Sequence, residues 1–249
     1  MNITGNTILI TGGGTGIGRG LAEAFHAAGN TVIIAGRRRA PLEAVAEANP
    51  GMHLALLDID DAAAIQDFAA RVVAEHPGLN VLVNNAGIMR VEEVLTGPEA
   101  LATAEATITT NLLGPIRLTS ALLPHFLGQP KAAVVNVSSG LAFVPRADTP
   151  TYSATKAAIH SYSLSLRHQL RNTSVQVVEL APPLVATDLT PGQRDNPRAL
   201  PLEDFIRESM ALLAADPDAA EILVERVKPQ RMAEATGRFG AVFDLINPR

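Results

Sequence analysis

Tyr152 and Lys156 stand one helical turn apart in a chain of 249 residues that holds only two tyrosines and three lysines. Chance gives that spacing in roughly 2% of chains of this composition. A phenol with an ordinary pKa of about 10 is a poor proton donor or acceptor near neutrality. An ammonium on the same helix face stabilises the phenolate and draws that pKa toward the working range, as proton transfer requires. The competing use is an amphipathic surface pair. Upstream, Ser139 directly follows the apolar run Val134–Val137. A hydroxyl there suits a carbonyl oxygen that gains charge during reaction, or it merely caps the turn.

A second cluster is Thr11-Gly12-Gly13-Gly14-Thr15-Gly16-Ile17-Gly18. It lies between a β-branched run and a segment of helical period, where free N–H groups and the positive helix end favour an anion such as a pyrophosphate. The glycines alone are a weak signal, and a turn chosen for tight helix–strand packing would also use them. No Lys-Ser/Thr pair follows, which excludes a P-loop.

The elements that must position these groups alternate. Short apolar runs at Thr7–Thr11, Thr31–Ala35, His53–Leu57, Leu79–Val83, Ala132–Val137 and Val175–Leu180 read as strands. Helical periods separate them: Ile17, Leu21, Phe25 and Ala28; Leu42 and Val45 after Pro41; Ile65, Phe68, Ala69 and Val72; a long stretch from Pro98 to Leu127; and Tyr152 to Arg171. Continuously apolar strands alternating with helices predict an α/β fold, a doubly wound parallel sheet in one Rossmann-like domain. Beyond Ala181 five prolines crowd the chain up to Pro201, and helical patterns return at Phe205–Ala215 and Ala219–Val227. The Pro-rich excursion, about residues 183–215, is expected to act as a substrate lid.

Composition narrows the function classes. Twenty basic against 25 acidic residues, a net charge of −5 and 4% aromatics without Trp argue against a nucleic-acid partner. The absence of Cys excludes disulfides and thiolate metal sites. Six scattered histidines show no His-Glu-x-x-His pattern, so no metal is expected, and no Gly-x-Ser-x-Gly elbow supports a serine hydrolase. No apolar run approaches the roughly 18 residues of a membrane span, and no signal segment is evident. The expectation is a cytoplasmic protein.

Taken together, these residues resemble the short-chain dehydrogenase/reductase family over about residues 5–190. The match is carried by the glycine loop, Asp58, Asn84-Asn85-Ala86-Gly87, Asn111, Ser139 and Tyr152-Ser153-Ala154-Thr155-Lys156, in order and spacing. The segment Glu179–Leu189 is similar to a bacterial branch labelled as oxidoreductases associated with D-alanine transfer. The resemblance implies hydride transfer between NAD(P)(H) and a carbonyl or alcohol. Tyr152 is then the acid/base, Lys156 lowers its pKa and holds the nicotinamide ribose, Ser139 orients the carbonyl and Asn111 anchors a relay water. Gly12, Thr15, Gly16, Ile17 and Gly18 would cradle the pyrophosphate, with Asp58 and Ile59 beside the adenine and Asn84, Asn85, Ala86 and Gly87 along the middle of the cofactor. Pro182, Val185 and Thr187 fall in the loop facing the carboxamide. There Pro183 replaces the usual glycine and cannot take its positive φ.

Cofactor choice is legible at the second strand. An NAD-preferring enzyme places an acid at its end, whereas here Gly36 is followed by Arg37, Arg38 and Arg39. Guanidinium groups match a 2′-phosphate, so NADP(H) is expected over NAD(H), with Arg37 and Arg38 as ligands. A solvated surface turn is the other use of such a run. Leu141, Phe143, Val144 and the Leu184–Arg194 region are expected to wall a pocket for a small carbonyl or alcohol substrate. The family's last strand has no counterpart in Met232–Arg249, which reads as helix. The expected sheet therefore has six or seven strands. The expected assembly is a homodimer through the helices near 111–127 and 152–171, with a tetramer as the alternative. The rival reading from another class is a catalytically silent dinucleotide-binding sensor on the same fold.

Overall fold

The computed structural model describes residues 1–248 and, of their side chains, all but that of Glu99. Seven parallel strands form one sheet: β1 (Thr7–Thr11), β2 (Thr31–Gly36), β3 (His53–Leu56), β4 (Leu79–Asn84), β5 (Ala132–Val137), β6 (Val175–Leu180) and β7 (Glu221–Ile222). They lie in the order β3-β2-β1-β4-β5-β6-β7. The order reverses between β1 and β4, and the crevice at that switch is where such sheets bind ligands.

Because both faces are covered, alternate residues of each strand enter two cores. Ile8 and Ile10, Val32 and Ile34, Val81 and Val83, Val135, and Val178 and Leu180 face α1 (Gly16–Ala27), α2 (Arg39–Ala48) and α7 (Leu202–Ala215). Leu9, Ile33, Leu82, Val134, Val175 and Val177 face α3 (Ala62–Glu75), α5 (Gly114–Leu127) and α6 (Pro150–Leu170). Fully burying one such Leu, Ile or Phe side chain contributes about 1.5–3 kcal/mol.

Local signals start and stop these helices. Asp61 caps α3 by accepting from the Ala63 and Ala64 amides. Gly29, at φ +84°, follows α1 in the left-handed conformation that ends it. Pro150 opens α6 at a position where a missing N–H costs nothing. α4 (Leu101–Ile108) runs into α5 through one π-helical turn, Thr109–Leu113. Glycine at 114 lets this turn approach β3's exit, since a Cβ there would lie 2.5 Å from Ile59 Cγ1.

Two expectations need correction. Residues 219–227 are not one helix: Glu221–Ile222 is the seventh strand and only Glu225–Val227 makes a 3₁₀ turn, so the last strand precedes the C-terminal segment. It is held by Glu179 N–H donating to Ala220 O and Ala181 N–H to Ile222 O. The expected lid also divides. Its second half is α7, whose Phe205 and Ser209 are fully buried against α1, whereas residues 186–199 form a loop closed at its base. There Ala186 N–H donates to Leu200 O and Leu200 N–H to Leu184 O, both at 2.8 Å. After α8 (Lys228–Arg231), the Met232–Arg249 segment expected to be helical is so only at α9 (Phe239–Ile246), and residues 232–237 are turns; Arg249 lies outside the described residues.

Candidate active site

A continuous cleft opens along the C-terminal ends of β1, β4 and β5. Its outer part is lined by Gly12, Gly14, Thr15, Gly36, Arg37, Arg38, Leu57, Ile59, Ala86, Gly87 and Thr110. Its inner part adds Gly16, Ile17, Asn85, Ser139, Tyr152, Lys156, Pro182, Val185 and Thr187. Most of the residues singled out by sequence therefore meet in one place, although they come from well-separated parts of the chain.

The glycine loop is built for close approach. Gly12 sits at φ +67°, and a Cβ on Gly18 would lie 2.3 Å from Gly12 O, so only glycine lets the start of α1 press against the end of β1. Asn85 fastens the loop from the other strand, donating from Nδ2 to Thr11 O at 2.9 Å. Thr11 Oγ1 accepts from both the Asn85 and Ala86 amides at 3.0 Å. Such a cradle of amides and glycines fits a dinucleotide pyrophosphate.

At the inner end Tyr152 and Lys156 are both buried. The expected lowering of the Tyr152 phenol by Lys156 is corrected here: burial pushes the phenol up to about 12, and the group pulling the other way is the Ser139 side chain through a hydrogen bond. Burial draws the Lys156 ammonium down to about 8, opposed by the Glu179 carboxylate. Lys156 Nζ donates to Val137 O at 2.7 Å and lies 5.6 Å from the Tyr152 ring centroid. Ser139 Oγ accepts from Leu141 N–H at 3.1 Å. Asn111 stands in the π-helical turn, a distortion that often marks functional sites. Its amide clamps the Ile88 backbone, accepting from Ile88 N–H and donating to Ile88 O, each at 2.8 Å.

The comparisons with known proteins agree with this geometry. The profile of short chain dehydrogenases matches residues 6–198. The chain belongs to the short chain dehydrogenase family. It is 43% identical over 251 residues to an uncharacterized oxidoreductase, DltE, of Bacillus subtilis (strain 168), covering 99% of this chain and 98% of that protein. It is 33% identical over 179 residues to the NADP-dependent 3-hydroxy acid dehydrogenase YdfG of Escherichia coli (strain K12), covering 72% of each. A short chain dehydrogenase from Burkholderia cenocepacia J2315, solved in complex with NADP, shares the fold at a TM-score of 0.82. That likeness covers 98% of this chain and 99% of the other at 24% identity. The family is one of oxidoreductases acting on small molecules, and this chain carries its single Rossmann-like sheet.

Within this short chain dehydrogenase some residues stand away from the cleft. Asn84 is buried at the end of β4, where Nδ2 donates to Thr119 Oγ1 and Asn136 Oδ1. Asp58 Oδ1 accepts from the Asp60 amide and does not line the cleft, whereas Ile59 does. Arg37 and Arg38 border the outer cleft, and Arg39 turns away to pair with Glu43 at 3.4 Å. Pro183 lines the inner cleft with no positive φ, and Pro182 O accepts from Gly140 N–H at 2.8 Å.

The expected wall after Ser139 is corrected. Val144 is fully buried with Ala233 and Val242, and Phe143 packs edge-on against His160, because the short 3₁₀ turn Gly140–Ala142 directs the chain toward the C-terminal helices. Ile88, Met89 and Arg90 take the place expected of Leu141, Phe143 and Val144 in the lining, whereas the Leu184–Arg194 region lines it as expected, through Val185, Thr187, Asp188, Leu189 and Gln193. Their position directly after Asn84–Gly87 was the available signal for the first three.

Proposed function

We propose that this chain interconverts a carbonyl and an alcohol with NADP(H) as hydride carrier, preferring it to NAD(H). The observation that carries the reading is the buried Tyr152, beside Ser139 and Lys156 at the inner end of a cleft that begins at a glycine-cradled helix start. Held by the glycine loop and Lys156, a bound nicotinamide cofactor would supply the hydride in reduction and accept it in oxidation. Tyr152 Oη gives the proton to the carbonyl oxygen in reduction and takes it back in oxidation. Ser139 Oγ orients that oxygen, and the Lys156 ammonium stabilises the phenolate left behind. With its phenol pushed up to about 12, Tyr152 is protonated at neutral pH, the form that donates a proton to a carbonyl oxygen in reduction.

The support for NADP(H) is Gly36 at the end of β2, with Arg37 and Arg38 bordering the outer cleft. The NADP-dependence of YdfG points the same way. The proposal includes a cytoplasmic homodimer acting on a medium-sized, partly apolar carbonyl compound, with Asn111 anchoring a relay water.

The test is NADPH oxidation by purified protein with a panel of aldehydes, ketones and imines. Tyr152→Phe should bind NADPH nearly normally and lose turnover by on the order of 10²–10⁴-fold. Unchanged turnover in that variant would overturn the mechanism. Normal NADPH binding without turnover on any carbonyl would favour a sensor.

A further inference from the structure

The α6-facing side of the sheet turns polar at its C-terminal end, where Asn84, Asn136 and Glu179 stand side by side on β4, β5 and β6. The two asparagines bond to each other and to neighbouring hydroxyls: Asn84 Nδ2 donates to Asn136 Oδ1, and Asn136 Nδ2 to Ser163 Oγ, each at 2.9 Å. Glu179 differs. It has no exposed surface, one carboxylate oxygen lies 2.7 Å from His160 Nδ1, and the other has no hydrogen-bond partner. Burying a carboxylate costs several kcal/mol unless charge and hydrogen bonds offset it. Lys156, one turn before His160 on the same helix face, is buried too, and its Nζ donates to the carbonyl of Val137, the residue after Asn136, which pairs with Glu179 across β5 and β6.

We propose that Glu179, anchored by His160, is a positioning residue that keeps the Lys156 ammonium charged in the crevice beside Tyr152. This rests on the acid–base reading above and adds a residue to it. The pull on Lys156 has two parts: burial favours the neutral amine and Glu179 opposes it.

The surrounding charges leave Glu179 as that source. Glu221 of β7 comes within 4.8 Å of the ligating atoms of His160 and Glu179. Both its oxygens, however, are taken by Arg231 of α8, at 2.9 and 3.1 Å. Arg231 also lies over the Phe143 ring, 4.9 Å from its centroid. A guanidinium thus already holds the carboxylate that a metal ion at this cluster would need. Farther along α6, Arg167 is spent on the carbonyls of Val177 and Ala220. From β5 the cluster meets only neutral groups, the Asn136 amide and the Val137 carbonyl.

The chain's three lysines, Lys131, Lys156 and Lys228, allow a direct measurement. Full-length protein labelled with [13Cε]lysine is titrated by NMR, with Lys156 assigned from its loss in Lys156→Met. In the wild type, the Lys156 midpoint is expected well below the other two. In Glu179→Gln it should fall by about one further unit or more, and in His160→Gln it should move the same way. An unmoved midpoint in folded Glu179→Gln overturns the proposal. Should that variant not fold, an unmoved midpoint in His160→Gln does so. NADPH-dependent reduction of 4-nitrobenzaldehyde by Lys156→Met separates the two readings. Full turnover without the amine would overturn the acid–base reading, whereas an unmoved midpoint removes only the role of Glu179.

Discussion

Arg37 is engaged even without a phosphate beside it: its Nη1 lies 3.2 Å from Asp60 Oδ2, and Thr110 Oγ1 holds the other oxygen of Asp60 at 2.7 Å. About half of the Arg37 side chain is exposed. An exposed pair of this kind contributes roughly 0–1 kcal/mol, whereas hydrogen bonds from a guanidinium to a phosphate contribute about 1.5–3. A 2′-phosphate placed there would therefore win the guanidinium, so the Asp60 pair is compatible with the proposed preference for NADP(H). Arg37→Ala should weaken NADPH binding by about 1.5–3 kcal/mol and leave NADH binding nearly unchanged. Dissociation constants of both cofactors for both proteins check this, and equal losses would assign Arg37 to the fold instead. The residues legible in sequence were those whose meaning lies in short spacing: the glycine loop, Tyr152 with Lys156, and the run at Arg37. Asp60 against Arg37 and His160 against Glu179 lie about twenty residues apart and meet only because β2 pairs with β3 and α6 packs on β6. No local pattern announces such a pair.

Elements long enough to show a period were readable for the same reason. The six longer strands and the helices α1, α3 and α6 fall where apolar periodicity puts them, because each has a face to bury. β7 has two residues and no period; it exists because the edge of β6 offers N–H groups that Ala220 and Ile222 accept from. The Pro-rich excursion was half readable. Prolines mark an irregular path, and only the fold shows where the loop ends and α7 joins the core. The lid proposed for this stretch falls on residues 186–199, the irregular part. Gln193 ties the loop internally, donating from Nε2 to Val185 O and Thr187 Oγ1, and Asp188 pairs with Arg194 at an exposed position. The Val185–Leu200 bridge closes its base and Arg226 Nη2 donates to Arg198 O at 3.0 Å, and the loop is expected to close as one piece over the inner cleft. Limited proteolysis should nick it, and NADPH with a bound carbonyl should slow the cleavage several-fold. Equal rates with and without ligands would count against a lid.

At the scale of the whole molecule, large apolar side chains stay exposed on one set of helices: Leu101 and Ile108 on α4, Leu127 on α5 and Leu164 on α6, with Leu113 in the turn between α4 and α5. Those helices are the ones expected to meet in a homodimer. Light scattering should give about 52 kDa, twice the 26.1 kDa chain; a mass near 105 kDa would mean a tetramer. Stability should also depend on pH through the two buried titrating groups, with opposite signs. Lys156 titrates near 8 in the folded chain against its ordinary 10.5, so between those values the unfolded chain binds more protons. Its buried charge is a cost below pH 8 that disappears as pH rises toward 10.5, and stability gains there. Tyr152 is pushed up to about 12 from its ordinary 10.0, so its neutral burial becomes a loss of stability between pH 10 and 12. Lys156→Met isolates the first effect. Urea unfolding at one fixed protein concentration should show wild type gaining on the variant by about 2 kcal/mol between pH 7.5 and 10. A difference that stays flat over that range would mean that Lys156 titrates as an exposed lysine does, and that burial does not set its charge.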